Sequence, residues 1–334
     1  MPVVLDDRSR GRTEPDGLVI GLLNNMPDAA LEATERQFIG LIDSASGSSP
    51  VRVKLFALSG VPRGPSGHDR LRRLYCGCSE LWDSGLDGLI VTGTEPVAAE
   101  LTEEPYWNAF VDVLQWAEDS GTPTLWSCLA AHAAVLHLSG IRRRRMAAKR
   151  SGVFGCAKAA PHPLTEGMPE HFALPHSRHN DLAEAELAAA DFTVITRSPE
   201  AGADMFVREE KAPLLFVQGH PEYEAHTLLR EYRRDIRRYL RGESHTYPAM
   251  PSGYFDSEST AALLRFRERA ISGGSTAALA SLWAEIPDPT VHNTWRQVAT
   301  RLYRNWLSLL AIRKAARAAM VATFGLEHDV RSFR

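Results

Sequence analysis

The sequence predicts an α/β fold: an open, mostly parallel sheet with helices on both faces, followed by a helical C-terminal extension. Two observations carry the prediction. Short apolar runs alternate with segments whose apolar residues recur at helical spacing, which is the grammar of parallel βαβ units. From about residue 257 that alternation stops and helical composition takes over. With 334 residues, 44% of them hydrophobic, the chain can bury a substantial core beneath such a sheet.

Residues 1–16 are polar and read as a disordered or extended leader. DGLVIGLLNNMPDAALEATERQFIGLI then reads as strand, loop and helix, with Pro27 in the polar break. VRVKLFAL (51–58) is a second strand and LDGLIVTG (86–93) a third. YWNAFVDVLQWAED (106–119) is a helix, and TPTLWSC (122–128) is a fourth strand that runs into the helix LAAHAAVLHL. Further strands are expected at 192–196, 203–207 and 212–220, before a long helix over 224–242. The α/β unit should therefore span 17–256. In the extension, 257–334, SGGS and IPDPT break the helices, and Trp295, Val298, Leu302, Trp306, Leu309 and Leu310 fall near one stripe. That stripe predicts a helix packing on the sheet or on a dimer partner, with a membrane-surface role the weaker competitor.

A formal charge of −3 argues against wholesale nucleic-acid binding, so small-molecule partners are expected. No apolar run approaches the roughly 18 residues a membrane span needs, and the N-terminus lacks the apolar core of a secretory signal, which predicts a cytoplasmic protein. Four cysteines, Cys76, Cys78, Cys128 and Cys156, match neither a C-x-x-C pair nor a zinc ribbon. Cys76 and Cys78 form a conceivable metal pair without a second pair of ligands; small residues near a turn is the plainer reading, and no metal is expected.

In an open parallel sheet, reactive groups gather outside the carboxyl ends of the strands. Three such ends stand out: VTGTEP, Cys128 and GHPEYE. A cysteine between a strand and a helix meets the positive end of the helix dipole, which favours thiolate. By itself it is more often a buried structural thiol than a nucleophile. GHPEYE supplies what a nucleophile needs, a base in His220 and a carboxylate in Glu222 to orient it. The joint placement predicts a Cys128–His220–Glu222 triad, with oxyanion donors from the backbone of Leu129 and of the Gly93–Thr94 turn.

Read in order, GLLNNMPDAALEATERQF, DGLIVTG, PYW, Cys128, KRSGVF, PHSRHND, GHPEYEAHTLLREYRRD and RNWL resemble the homoserine O-acyltransferases typified by homoserine O-succinyltransferase. The resemblance covers about 18–256, with fragments near 293–310. It implies a flavodoxin-like sheet related to the class I glutamine amidotransferases, and ping-pong transfer of an acyl group from acyl-CoA to homoserine for methionine synthesis. Acyl-CoA would be a cosubstrate and no cofactor would be bound permanently; the expected assembly is a homodimer. Carried over position by position, Cys128 would take the acyl group, His220 would act as base and Glu222 would support it. Lys149 would lie at the substrate pocket, Ser177 would help define the amino acid, and Arg234 would hold its carboxylate as a guanidinium fork.

The chain also departs from the family pattern. Asp28 and Ala29 stand where basic residues usually follow N-x-M-P, so no catalytic role is assigned there. In the VTG loop a glutamate accompanies acetyl-CoA users and a glycine succinyl-CoA users; the aligned residue is Val97, whose lack of charge favours succinyl over acetyl. The basic run IRRRRMAAKR (141–150) reads as a solvated face, with attraction of coenzyme A phosphates by Arg142 to Arg145 as the competing thought. A glutamine amidotransferase or hydrolase is the distant alternative, disfavoured because W-S-C-L-A lacks the glycines of G-x-C-x-G. A serine O-acyltransferase is the near one, since one methylene is worth only about 1–3 kcal/mol. A non-catalytic binding module would have a broken triad, and all three members are present.

Overall fold

A computed structural model describes residues 3–5, 17–272 and 291–331, with side chains described to 320. The expectations for the rest of the leader, and for most of the Ser/Gly and Pro breaks between 273 and 290, fall outside the described residues. Ten strands form one sheet: β1 (Val3–Leu5), β2 (Leu18–Leu23), β3 (Val51–Phe56), β4 (Gly88–Val91), β5 (Thr124–Ser127), β6 (Arg144–Lys158), β7 (His171–Asp181), β8 (Thr193–Ser198), β9 (Gly202–Glu209) and β10 (Pro213–Val217). The helices are α1 (Asp28–Ser46), α2 (Pro65–Leu74), α3 (Trp107–Ser120), α4 (Leu129–Ser139), α5 (Glu184–Ala189), α6 (Thr227–Leu240), α7 (Ser257–Ile271) and α8 (Arg296–Arg331).

Strand order is β1-β3-β2-β4-β5-β10-β9-β8-β6-β7. The first six strands in that order are parallel, and every pairing from β10 to β7 is antiparallel. The parallel strands are continuous apolar runs because both faces are covered. On one face Ile20, Leu22, Val53, Ile90, Leu125 and Leu215 pack with α1, α6 and α8; on the other Leu23, Phe56, Leu89, Val91, Trp126 and Phe216 pack with α3, α4 and α5. The period-two alternation of a strand thus separates two cores.

The sequence reading did not anticipate the β6–β7 hairpin or α2. The hairpin is largely polar, and the arginine run 141–150 leads into it; Arg144 and Arg145, the first residues of β6, are exposed.

Of the extension, α7 packs through Leu263, Phe266 and Ala270 on Tyr232 and Ile236 of α6 in a separate small cluster, while α8 is embedded in the first core. Trp295, Leu302, Tyr303, Trp306 and Leu310 are fully buried there. Gly88 of β4 makes room for them, since a Cβ at that position would stand 2.7 Å from Leu310 Cδ1 and 3.0 Å from Trp306 Cζ2. At the end of this contact Lys314 and Arg317 donate to the buried Asp87 carboxylate at 2.9 and 2.7 Å, while Asp87 also accepts from Val19 N at 2.9 Å. One carboxylate thereby ties α8 to the start of β2. Trp306→Ala should cost about 3–5 kcal/mol, the range for emptying a buried tryptophan site, read as a lowered urea midpoint with little change in slope.

Candidate active site

β5 ends at Ser127 and α4 begins at Leu129, so Cys128 alone makes the turn. It does so at φ 52° and ψ −110°, a left-handed backbone that costs a non-glycine residue of order 1–3 kcal/mol. Cys128 N donates to Val217 O at 2.7 Å, and His132 N donates to Cys128 O at 3.3 Å, which hold the turn in place. The Thr92–Thr94 turn approaches the start of α4 closely: a Cβ on Gly93 would lie 2.6 Å from Leu129 Cβ and 3.0 Å from Leu129 N. Only glycine leaves that helix terminus accessible. Gly93, Thr94 and Leu129 line a small, partly open cleft whose walls include Tyr106, Phe110, Ala130 and Ala133. Asn25 braces its edge, with its N and Nδ2 donating to Thr92 Oγ1 and O at 2.8 and 3.1 Å.

His220 stands on the turn after β10 with its imidazole beside the Cys128 sulfur, while its Nδ1 donates to Glu222 Oε1 at 2.7 Å. His220 and Glu222 are buried at 8% and 4% exposure. Burial is the largest single influence on the imidazole and disfavours its charge, but the Glu222 carboxylate and the Cys128 sulfur together overcome it and hold the pKa well above 6.5. Tyr223 stacks on the imidazole with centroids 4.2 Å apart. The turn is fixed from behind by His220 N donating to Pro175 O at 2.7 Å and Gln218 N to Asp204 O at 2.8 Å. From the extension, Trp295 Nε1 and Asn293 Nδ2 donate to Tyr223 O at 2.8 and 3.3 Å.

Lys149, Ser177 and Arg234 come together on the same side of the histidine, organised by two acids of α6 that the sequence reading missed. Glu231 accepts from Ser177 Oγ, from Tyr223 Oη at 2.6 Å and from Lys149 Nζ at 3.5 Å. Asp235 accepts from Lys149 Nζ at 2.9 Å and from Arg234 Nε at 3.0 Å. Burial pushes both carboxyl groups up, yet Lys149 and the remaining donors hold them below the ordinary range, so both are anions. Arg234 is half exposed and keeps donors free to face solvent.

Val97, 67% exposed, sits on a loop pinned by the buried Glu104, whose Oε1 accepts from Val97 N and Ala98 N at 2.8 Å each. Within the arginine run, Arg142 pairs with Glu100 at 3.1 Å and Arg144 with Glu186. Behind the catalytic turn, Cys156, His176 and Asp204 place their ligand atoms within 4.8 Å of one another. His176 Nε2 lies 3.3 Å from Asp204 Oδ1, its Nδ1 accepts from Arg178 Nε at 3.4 Å, and burial keeps the Cys156 thiol protonated. The Cys156 thiol donates to Phe154 O at 3.7 Å and Asp204 Oδ2 accepts from Thr196 Oγ1 at 2.9 Å, so these groups belong to the buried polar core. Cys76 and Cys78 are partly buried and take part in no disulfide among the described residues.

The arrangement can pair a sulfur nucleophile with a base that takes and returns its proton, beside a cluster of charges of both signs. Because Glu222 supports the imidazolium, His220 carries its proton at neutral pH and loses it only as pH rises above the ordinary histidine range. Glu222→Gln removes that support, so the pH profile of Cys128 alkylation by iodoacetamide should move to higher pH and the rate at pH 6 should fall roughly 10-fold.

The sequence profile of the family described as homoserine O-succinyltransferase matches residues 3–317. Homoserine O-succinyltransferase of Methylorubrum extorquens is 48% identical over 304 residues, covering 90% of this chain and 89% of that protein. The protein of the same name from Rhodopseudomonas palustris is 47% identical over 292 residues, covering 87% and 88%. Among solved structures, a glutamine amido transferase from Methylobacillus flagellatus superposes with a TM-score of 0.49 at 15% identity, covering 88% of this chain and 94% of that one. On the extent of the profile match and the identity to these relatives, the chain belongs to the homoserine O-succinyltransferase family.

Proposed function

We propose that this acyltransferase carries a succinyl group from succinyl-CoA to the hydroxyl of homoserine through a thioester on Cys128. The observation that supports this most directly is the line Cys128–His220–Glu222, with His220 hydrogen-bonded to Glu222 and Cys128 at a strained strand-to-helix turn beside the first N–H of α4. The Cys128 thiolate attacks the thioester carbonyl, and the oxygen's developing charge meets the backbone N–H groups of Leu129 and the Gly93–Thr94 turn. The carbon–sulfur bond to coenzyme A breaks, and the leaving sulfur takes the His220 proton. Homoserine then enters. His220 removes the hydroxyl proton, the oxygen attacks the Cys128 acyl carbon, and the enzyme's carbon–sulfur bond breaks to restore thiolate and imidazolium.

Homoserine is a zwitterion, and the pocket beside His220 matches it. Arg234 would receive the α-carboxylate, while Lys149 and Ser177, held on Glu231, would set the position of the acceptor. The buried anions Glu231 and Asp235 suit the α-ammonium. In this reading 17–256 forms the catalytic unit, 257–334 supports it, and the enzyme works as a homodimer in the cytoplasm with acyl-CoA as its cosubstrate and no permanently bound cofactor. No helix among the described residues is long and apolar enough to cross a membrane. The product, O-succinylhomoserine, would feed methionine synthesis.

The deciding experiment is intact-protein mass spectrometry after mixing with succinyl-CoA, then with homoserine or serine. A succinyl adduct should form on wild type, be absent from Cys128→Ala, and be discharged by homoserine in preference to serine. An adduct that persists in Cys128→Ala would remove the thioester. His220→Asn should slow acylation by roughly 10²–10⁴-fold, the usual contribution of a positioned base. Arg234→Met should still acylate but show a KM for homoserine raised roughly 10-fold or more, measured by steady-state kinetics.

A further inference from the structure

The triad and the charged cluster of α6 belong to one ring of contacts. Gly93 stands against Leu129, the residue after Cys128, so closely that a Cβ on it would lie 3.0 Å from Leu129 N. From Cys128 the ring passes to His220 beside it, to Tyr223 stacked on the imidazole at 4.2 Å, and through the Tyr223 hydroxyl to Glu231 at 2.6 Å. Glu231 and Arg238 lie two turns apart on one face of α6, with Arg234 and Asp235 between them. Arg238 closes the ring. Its Nη1 and Nη2 donate to Glu95 Oε1 and Oε2 at 3.1 and 3.5 Å, and Glu95 follows Gly93 and Thr94 directly in the chain.

The links of this ring differ in how much water reaches them. His220 is 8% exposed, and the side chains of Lys149, Glu231 and Asp235 are 17–19% exposed, so little of the site meets solvent. Substrates need an opening to reach it. Glu95 and Arg238, by contrast, have side chains 57% and 43% exposed. An ion pair so placed biases its closed state by no more than about five-fold, and salt weakens it. The segment that carries Glu95 is compact, because the buried Glu104 accepts from Val97 N and Ala98 N, and Leu101 sits in the core at its far end. A second exposed tie joins Glu100 to Arg142 at 3.1 Å.

We propose that residues 94–100 form a strap across the site, latched to α6 by Glu95 and Arg238, which opens to admit substrates and shields the acyl-enzyme from bulk water when closed. The proposal rests on the Cys128 thioester reading and adds to it a control over what reaches the thioester. An acyl-enzyme has two fates, transfer to the acceptor or hydrolysis. In hydrolysis the oxygen of water attacks the acyl carbon, His220 takes the water's proton, and the carbon–sulfur bond breaks to restore the thiolate. A free carboxylic acid leaves and gives its own proton to solvent. A site that excludes water suppresses this route. Because Arg238 lies one turn beyond Arg234 on the same face, the latch stands next to the group assigned to the acceptor's carboxylate.

The test follows release of coenzyme A from succinyl-CoA with a thiol reagent, without homoserine for hydrolysis and with it for transfer. Glu95→Gln and Arg238→Gln should each raise the ratio of hydrolysis to transfer roughly 3- to 5-fold. The exchanged pair, Glu95→Arg with Arg238→Glu, should return it to within about 2-fold of wild type. Raised salt should increase the ratio in wild type and leave it unchanged in Glu95→Gln. Cleavage after Glu100 by a glutamate-specific protease reports the strap without any acylation, and should be roughly 3-fold faster in Arg238→Gln. Circular dichroism confirms that the variants fold. A ratio unchanged in both single variants, an exchanged pair no better than either charge reversal alone, or equal cleavage of wild type and Arg238→Gln overturns the proposal. Failure of wild type to acquire any Cys128 adduct overturns the thioester reading instead, and the protease comparison still judges the strap.

Discussion

Cys128 is required to turn the chain from β5 into α4 by itself, and the site is arranged around that requirement. The left-handed backbone lifts the sulfur above the sheet edge and aligns the first N–H groups of α4 beside it. Such a conformation persists only where surroundings over-determine it. Here β10 holds the peptide from one side through Val217 O, and Gly93 lets the β4 loop close over the other. A side chain on Gly93 would push that loop away from Leu129 and reshape the cleft between them. Strain at one residue and the missing Cβ at another are thus two parts of the same local geometry.

Around the histidine the constraint is electrostatic. Buried imidazole would ordinarily be neutral, and Glu222 reverses that preference by supplying a charge at hydrogen-bond distance in a medium that screens it little. The same logic recurs one helical turn at a time along α6, where Glu231 and Asp235 lie four residues apart and therefore on one face. They hold Lys149 and Arg234 in place by ion pairs. The stacking of Tyr223 on His220 and its bond to Glu231 joins the two networks, so the imidazole and the charged cluster share one side chain.

The parallel half of the sheet was legible because its strands are uninterrupted apolar runs between turn residues, and the strand-end rule then singled out Cys128, His220 and Glu222. The antiparallel half was less so. RRMAAKRSGVFGCAK alternates weakly and begins with arginines, since the early part of β6 has exposed positions; charges there discourage edge-to-edge pairing but erase the strand signal. PSGHDRLRRL, which forms α2, is polar with a glycine inside it, and its local propensity is poor. Glu231 and Asp235 were hidden for a related reason: in EYRRD they read as ordinary members of a charged amphipathic helix. Only the fold of β6 and β7 brings Lys149 and Ser177 onto them. Glu104 likewise looked like one more acid in a polar loop, and its role as acceptor for two peptide N–H groups exists only in three dimensions.

The carbonyl of Tyr223 takes its two side-chain donors from Asn293 and Trp295, about seventy positions later in the chain. During synthesis the triad's residues leave the ribosome well before those donors do. A nascent polypeptide therefore possesses the thiol, the imidazole and the carboxylate without the clamp that holds their turn against the sheet. The turn that carries the imidazole and the carboxylate is in this way completed only when translation is nearly finished.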